Sequence, residues 1–144
     1  MSYSTPSRKR GFTLIELMVV ILIIAILAAM VVPKVVGRTG DAKISKAKAD
    51  ISSLSSSINA FRLDTGRYPS SEEGLQVLRV PPSDVSNWKG PYINKDIPMD
   101  PWNYEYVYEY PGAYGSESFN LLTYGADGQP GGEGEAADIS EADL

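Results

Sequence analysis

Residues 8–32 read RKRGFTLIELMVVILIIAILAAMVV, and this stretch decides the organisation of the chain. Three cations and a glycine precede the 21 residues from Phe12 to Val32, which are apolar except for Thr13 and Glu16. A helix that rises about 1.5 Å per residue would extend about 30 Å over this length, the thickness of a bilayer's hydrocarbon core. The sequence therefore predicts a single transmembrane helix with the N-terminus in the cytoplasm and the rest of the chain across the membrane.

Glu16 separates this segment from an ordinary signal peptide or a plain membrane anchor. A secretory signal fits poorly, because the apolar run is long, contains an acid and has no Ala-x-Ala pair near its end. A plain anchor explains everything except Glu16, since a carboxylate inside an apolar helix is costly without a partner. Cleavage between Gly11 and Phe12 would place a cationic amino group four residues from Glu16. That amine, or the amine of a neighbouring subunit, is a candidate partner.

The composition of the remaining chain excludes several classes of function. The 144 residues contain neither Cys nor His, so disulfides, thiolate metal sites and cysteine or histidine catalysis are impossible. From Phe12 onward there are 10 cations and 18 acids, a net charge of −8. So acidic a body predicts no nucleic-acid binding, which needs clustered Lys and Arg.

The segment after the apolar run predicts a flexible joint and then a second stretch of helix. Pro33 predicts a kink or local melting, and Gly37 and Gly40 weaken the helix further. From Asp41 the helical pattern resumes, and Gly66 is placed to end it at the C′ position. One apolar stripe with spacings of three and four residues is expected to pack on the protein's own sheet: Ile44, Ala47, Ile51, Leu54, Ile58 and Phe61.

The second half of the chain predicts a small sheet, which makes the fold class α+β. Residues 104–110 alternate Tyr with Glu or Val and form the strongest strand prediction, and residues 118–124 form a second. A third strand is expected near residues 92–93, and a short helix at 71–78. Four aromatic side chains can add buried area to the core: Trp88, Tyr92, Trp102 and Tyr104.

The decapeptide RKRGFTLIEL at residues 8–17 resembles the leader and processing site of type IV pilins and type II secretion pseudopilins. The resemblance implies that a prepilin peptidase cuts between Gly11 and Phe12 and methylates the new terminus at Phe12. It also implies that Glu16 is needed for subunits to join a filament.

Five further blocks resemble, in their order, the major pseudopilin of type II secretion systems. They are Gly66-Arg67-Tyr68-Pro69, Glu73-Gly74-Leu75, Trp88-Lys89-Gly90-Pro91-Tyr92, Pro98-Met99-Asp100-Pro101-Trp102 and Gly125-Ala126-Asp127-Gly128. The family's usual Gly-Asn-Pro turn is replaced by Asn103-Tyr104-Glu105, which allows the strand to begin earlier. The implied organisation is a leader at 1–11, a transmembrane and filament-core helix at 12–36, its amphipathic half at 37–66 and a globular periplasmic part at 67–144.

The resemblance also implies a calcium ion in a C-terminal loop of a pilin fold. The matching ligands are the side chains of Asp127 and Asp138, the Ser140 position and the backbone carbonyl of Tyr124. Calcium prefers six to eight hard oxygen ligands in flexible geometry, which carboxylates and Gly-rich backbone supply. The alternative is a solvated acidic tail without a metal.

The function implied is that of a non-enzymatic structural subunit of the periplasmic pseudopilus, a homopolymer that drives export of folded proteins across the outer membrane. The implied partners are minor pseudopilins, an inner-membrane platform and ATPase, and the prepilin peptidase. A type IV pilus subunit for adhesion, motility or DNA uptake is the near alternative. A membrane-anchored periplasmic binding module or enzyme is the distant one, with Asp96, Asp100, Glu105 and Glu109 as candidate catalytic carboxylates.

Overall fold

The computed structural model describes residues 11–144, with the backbone alone between residues 31 and 38. The predicted leader cations Arg8, Lys9 and Arg10 lie outside the described residues. The chain divides into two compact units, Met1–Arg38 and Thr39–Leu144, and one helix, α1, spans Leu14–Thr65. The backbone is helical at Pro33, so the local melting predicted there is not found.

The described part of the first unit exposes its apolar side chains. Every large apolar side chain from Phe12 to Met30 is between 45% and 84% exposed. Ala, Leu and Ile dominate this stretch, and they extend the helix without any polar interruption after Glu16. Among the described residues, no helix combines the length and the hydropathy required of a membrane span.

The second unit has a core built on the predicted apolar stripe of α1. Ala47, Ile51, Leu54, Ile58 and Phe61 are at most 2% exposed, and Ile44 packs at the margin of the core. Their burial on one face of α1 confirms the predicted amphipathic helix. Gly66 follows the last helical residue with φ +78°, and its N–H donates to the carbonyl of Arg62 at 2.8 Å, as a C′ glycine does.

Three short antiparallel strands cover this helix in the order β1-β2-β3. They are β1 at Val107–Glu109, β2 at Asn120–Thr123 and β3 at Ile139–Ser140. Tyr108 lies opposite Leu121, and Thr123 lies opposite Ile139. The core is completed by alternating side chains from the sheet and its approach: Tyr106, Tyr108, Leu121 and Ile139. The predicted arrangement of a long helix on a small antiparallel sheet is therefore confirmed.

Two strand predictions need correction. The third strand is Ile139–Ser140 and not residues 92–93, because Tyr92 donates its N–H to the carbonyl of Leu78 in a loop and Pro91 has no N–H to offer a sheet. The strand predicted at 104–110 shortens to Val107–Glu109. At one end Tyr104 donates its N–H to the Asp100 carboxylate, and at the other Tyr110 donates to Ser71 Oγ.

A turn precedes β1 even though Asn103-Tyr104-Glu105 replaces the family's usual Gly-Asn-Pro. Asn103 adopts φ +73°, a left-handed conformation that Asn tolerates better than most residues. The strand therefore begins later than the sequence allowed.

The helix predicted at 71–78 is a 3-10 helix at Gly74–Leu78. Of the four aromatic residues expected in the core, Trp88, Tyr92 and Trp102 are half-buried, whereas Tyr104 is 45% exposed.

Glu73 stabilises the segment after α1 through hydrogen bonds and makes the stability of the second unit depend on pH. Its two carboxylate oxygens accept hydrogen bonds from Arg67 at 2.7 Å each, and one also accepts the Ser70 N–H at 2.7 Å. The Arg67 guanidinium lowers the pKa of the Glu73 carboxyl to about 2, and the Ser70 hydrogen bonds add to the shift. The charged form is thus favoured by folding.

Because the folded-state pKa is depressed, this stabilisation is complete above pH 4.5 and is lost as pH falls toward 2. We expect Glu73→Gln to remove on the order of 2–3 kcal/mol at pH 7 and to flatten the melting temperature's dependence on pH over that window. Glu72, exposed and without an ion pair, provides the matched control in Glu72→Gln. Equal acid sensitivity in wild type and Glu73→Gln, measured by thermal melting from pH 7 to 2.5, would contradict the prediction.

Candidate functional site

The first candidate site is the start of α1. Thr13 precedes the helix, and its N–H and hydroxyl donate to Glu16 Oε2 at 2.9 and 3.0 Å. In return the Glu16 N–H donates to Thr13 Oγ1 at 3.2 Å. This reciprocal pattern is a capping box, which satisfies backbone donors that the first helical turn leaves without partners.

Glu16 is thus a helix-capping residue, a role that was not predicted although the Thr-x-x-Glu spacing is its signature. The carboxylate is exposed and lies among exposed apolar side chains. Gly11 and Phe12 are exposed too, and both precede the helix. The arrangement presents one anionic group near the end of an apolar helix, with the predicted cleavage bond in non-helical backbone beside it.

The second candidate site is the loop from β2 to β3. It contains two 3-10 helices, Gly125–Asp127 and Gly134–Ala136, which pack on one another. Because Thr123 pairs with Ile139, the next residues outward, Tyr124 and Asp138, lie at the same end of the sheet. The structure therefore brings two of the sequence-predicted ligand residues to one place.

Gly125 allows the two sides of this loop to approach closely. It adopts φ +68°, and a Cβ there would lie 2.6 Å from the carbonyl oxygen of Glu135 and 2.8 Å from that of Ala137. Only glycine fits such a position, because the obstruction is backbone. Carbonyl oxygens thus face the turn that carries Asp127.

The predicted ligand side chains are held by hydrogen bonds within the loop and at its end. Asp127 Oδ1 accepts the Gln129 N–H at 3.0 Å, and both oxygens of Asp138 accept the Gly131 N–H at 3.0 Å. Ser140 instead donates its hydroxyl to Asp143 at 2.6 Å.

Within the described part of the chain, no three acidic side chains converge as a metal-binding group. A cation in this loop would depend on two aspartates together with backbone and hydroxyl oxygens. Those hard oxygens match the chemistry that calcium prefers.

A buried aspartate ties the loop to the rest of the second unit. Asp100 is 4% exposed and accepts N–H hydrogen bonds from Trp102 at 3.0 Å and Tyr104 at 2.8 Å. Thr123, fully buried at the end of β2, donates its hydroxyl to Asp100 and accepts the Gly125 N–H at 3.2 Å. These hydrogen bonds hold the start of the loop in place. The only local sequence signal for them is the turn-forming pair Asp100-Pro101.

Glu135 ties the loop to the start of the helical part of the second unit. Its Oε2 accepts the Trp102 indole N–H at 3.3 Å. A Cβ on Gly40 would overlap Glu135 Oε1, so the glycine gives the carboxylate room against α1. Gly40 was expected only to weaken the helix, and no sequence pattern relates it to Glu135.

The carboxylates considered for an enzyme are spread over different environments. Asp100 is buried and hydrogen-bonded, Asp96 pairs with Arg79, and Glu105 and Glu109 are exposed without ion pairs.

Two family models match the chain, over adjoining ranges of residues. The model described as the prokaryotic N-terminal methylation motif matches residues 6–32, and the model for type II secretion system protein G matches residues 34–142.

Curated relatives and a solved structure agree with those matches. The type II secretion system core protein G of Pseudomonas aeruginosa is 42% identical over 139 residues, covering 94% of this chain and 96% of the relative. The protein of the same name from Vibrio cholerae is 42% identical over 140 residues, covering 95% and 94%. The major pseudopilin of the type 2 secretion system of enterohaemorrhagic Escherichia coli is 33% identical, with a TM-score of 0.63 over 79% of this chain and 98% of that one.

Proposed function

The chain belongs to the type II secretion system protein G family, and we propose that it polymerises through its N-terminal helix into a pseudopilus that drives export of folded proteins across the outer membrane. The chain is a structural subunit of a pseudopilus. The proposed cycle draws subunits singly from the inner membrane and stacks their apolar helices in the filament core.

The observation that carries this proposal is the exposed apolar helix beside the methylation motif. Fourteen large apolar side chains between Phe12 and Met30 have no cover in the single chain, far more than a soluble monomer leaves exposed. A bilayer before assembly and neighbouring helices after assembly would cover them. Glu16 would then need a partner, and the amine created at Phe12 by cleavage after Gly11 is positively charged and near in sequence.

Processing at Gly11–Phe12 is expected to depend on a prepilin peptidase. Intact mass and N-terminal sequencing of the membrane-extracted protein should show an N-methylated Phe12 when the peptidase is present and an intact Met1 terminus when it is absent. Gly11→Val, which crowds the cleavage bond, should leave the leader attached. A chain that starts at Phe12 without the peptidase, or beyond Val32 with it, would contradict the proposal.

Calcium is the cofactor that we propose for the loop between β2 and β3. Asp127 and Asp138 would supply carboxylates, and Tyr124 would supply its backbone carbonyl. The Ser140 position in β3 would complete the ligand set. The close approach at Gly125 and the adjacency of Tyr124 and Asp138 support the fit. Bound calcium would add positive charge to a loop rich in acids and hold the two strands' ends together.

The calcium proposal predicts a metal-dependent melting temperature. Calcium at a hundredfold excess over its Kd should stabilise the chelator-treated protein by about 2.7 kcal/mol, and Asp127→Ala should abolish that gain. Glu133→Ala, which removes another exposed acid of the same loop, is the matched control and should retain it. Equal shifts with calcium for wild type and Asp127→Ala would sink the proposal.

The proposed setting is a membrane-anchored subunit with its body in the periplasm. Its partners would be further copies, minor pseudopilins, an inner-membrane platform with its ATPase, and the prepilin peptidase. A type IV pilus subunit remains less favoured, because the family model over residues 34–142 is that of secretion protein G and the chain has no Cys for a disulfide-closed loop.

A further inference from the structure

Charge is strongly segregated along the chain. Residues 34–48, here called the basic segment, contain five cations and one acid, a net charge of +4: Lys34, Arg38, Lys43, Lys46 and Lys48 against Asp41. Residues 49–144 contain five cations and 16 acids, a net charge of −11. No other part of the chain after the leader carries a comparable positive charge.

The cations of the acidic part are already engaged within the subunit. Four of the five are ion-paired to acids of the same chain: Arg62 to Glu117, Arg67 to Glu73 and Asp84, Arg79 to Asp96, and Lys89 to Asp64. Among the described side chains, the exposed acids Glu72, Glu105 and Glu109 have no ion pair. This surplus negative charge has no cation left within residues 49–144 except Lys95.

One of the unpaired acids lies on a cleft of about 490 Å³ in the second unit. The cleft has an apolar lining that includes Leu75, Ile97, Met99 and Tyr106, and its polar lining includes Glu105 and the ion pair of Arg79 with Asp96. Met99 is 50% exposed there. The combination suits a partner whose side chains have aliphatic stems and cationic ends, as Lys and Arg do.

We propose that this cleft of one subunit receives the basic segment of a second copy of the chain in the filament. The inference rests on the proposed polymerisation. The basic segment follows the apolar helix directly in the sequence, so a subunit that packs that helix against a neighbour brings its basic segment to the neighbour as well. Lys46 is already ion-paired with Asp50 of its own chain, and Lys48 donates to the carbonyl of Asp143. The aliphatic stems of Lys34, Arg38 and Lys43 therefore lie on the apolar lining, and their charges meet Glu105.

The contact answers an electrostatic difficulty of the polymer. After removal of the leader each subunit carries a net charge of −8, and subunits of like charge repel when they pack closely. A basic segment set against an unpaired acid of the next subunit replaces that repulsion with attraction and fixes which surfaces meet.

Because the chain has no native Cys, engineered cysteines report this contact alone. The full-length chain carrying Glu105→Cys is combined in turn with Lys34→Cys, Arg38→Cys and Lys43→Cys, and filaments formed in membranes with the peptidase are oxidised. At least one pair should give disulfide-linked ladders. Glu141→Cys with the same three partners, an acid outside the cleft and without an ion pair, should give none.

A charge test accompanies the cross-linking. Glu105→Lys should raise the critical concentration for filament formation about tenfold without lowering the melting temperature, and Arg38→Glu or Lys43→Glu should restore assembly in the same chain. Glu141→Lys makes the same change in net charge and should leave assembly unchanged. Normal assembly of Glu105→Lys, together with no ladders from any pair, would overturn the proposal. Wild-type protein that forms no filaments would overturn the proposed function instead.

Discussion

Replacing Glu16 with Ala is expected to stop filament assembly, lowering the polymerised fraction at least a hundredfold while the second unit melts unchanged. A carboxylate that pairs with an amine among packed apolar helices leaves an unpaired buried charge when it is removed, at a cost of about 3–5 kcal/mol per contact. The second unit is a separate compact body beginning at Thr39, so its melting does not depend on Glu16. Sedimentation of filaments from membranes measures the effect.

The capping box provides the control for this experiment. Thr13→Ala removes the hydroxyl that bonds to Glu16 but keeps the carboxylate, and should cost only about 1 kcal/mol of helix stability. Filaments should therefore still form. If Thr13→Ala blocks assembly as completely as Glu16→Ala does, the carboxylate acts through the helix cap and the pairing with a terminal amine is wrong.

Phe61→Ala should cause the largest loss of stability in the second unit. Its ring is fully buried in the centre of the core, where it meets Tyr92 edge-on at 5.9 Å between ring centroids and lies under the Arg67 guanidinium at 5.7 Å. Truncating such a ring removes apolar contacts and leaves a cavity, at a cost of about 3–5 kcal/mol. For a unit of this size the melting temperature should fall by on the order of 15–30 °C.

Leu63, two residues further along the same helix, is the matched control. It is 86% exposed, so Leu63→Ala should change the free energy of unfolding by less than about 0.5 kcal/mol. Thermal melting of both variants in detergent measures the difference. Similar melting temperatures for the two variants would show that the stripe of α1 is not the core of the second unit.

Features that repeat along the chain were predictable from the sequence. The stripe from Ile44 to Phe61 recurs every three or four residues, and side chains with that spacing share one face of a helix whatever they pack against. Gly66 ends the helix through its own backbone freedom. β2 was predictable too, because its alternation is local.

Parts of the candidate site were visible in the sequence only through the family resemblance. Asp127 and Asp138 stand 11 residues apart, and no periodic pattern relates them. The pairing of Thr123 with Ile139 brings Tyr124 and Asp138 to one end of the sheet. The capping box at Thr13 and Glu16 is readable from the sequence alone, because Thr-x-x-Glu before an apolar run is a local signature.

The sequence by itself determined the apolar N-terminal helix, its single acid, the amphipathic face that follows and the segregation of charge, since each depends on neighbouring residues alone. Only the tertiary structure decided that β3 is Ile139–Ser140, that Asp100 supports Thr123, and that Glu135 lies against Gly40. These contacts join residues 16 to 95 positions apart. Such pairs leave no local pattern, because they form only when the chain closes its loops and buries a shared core.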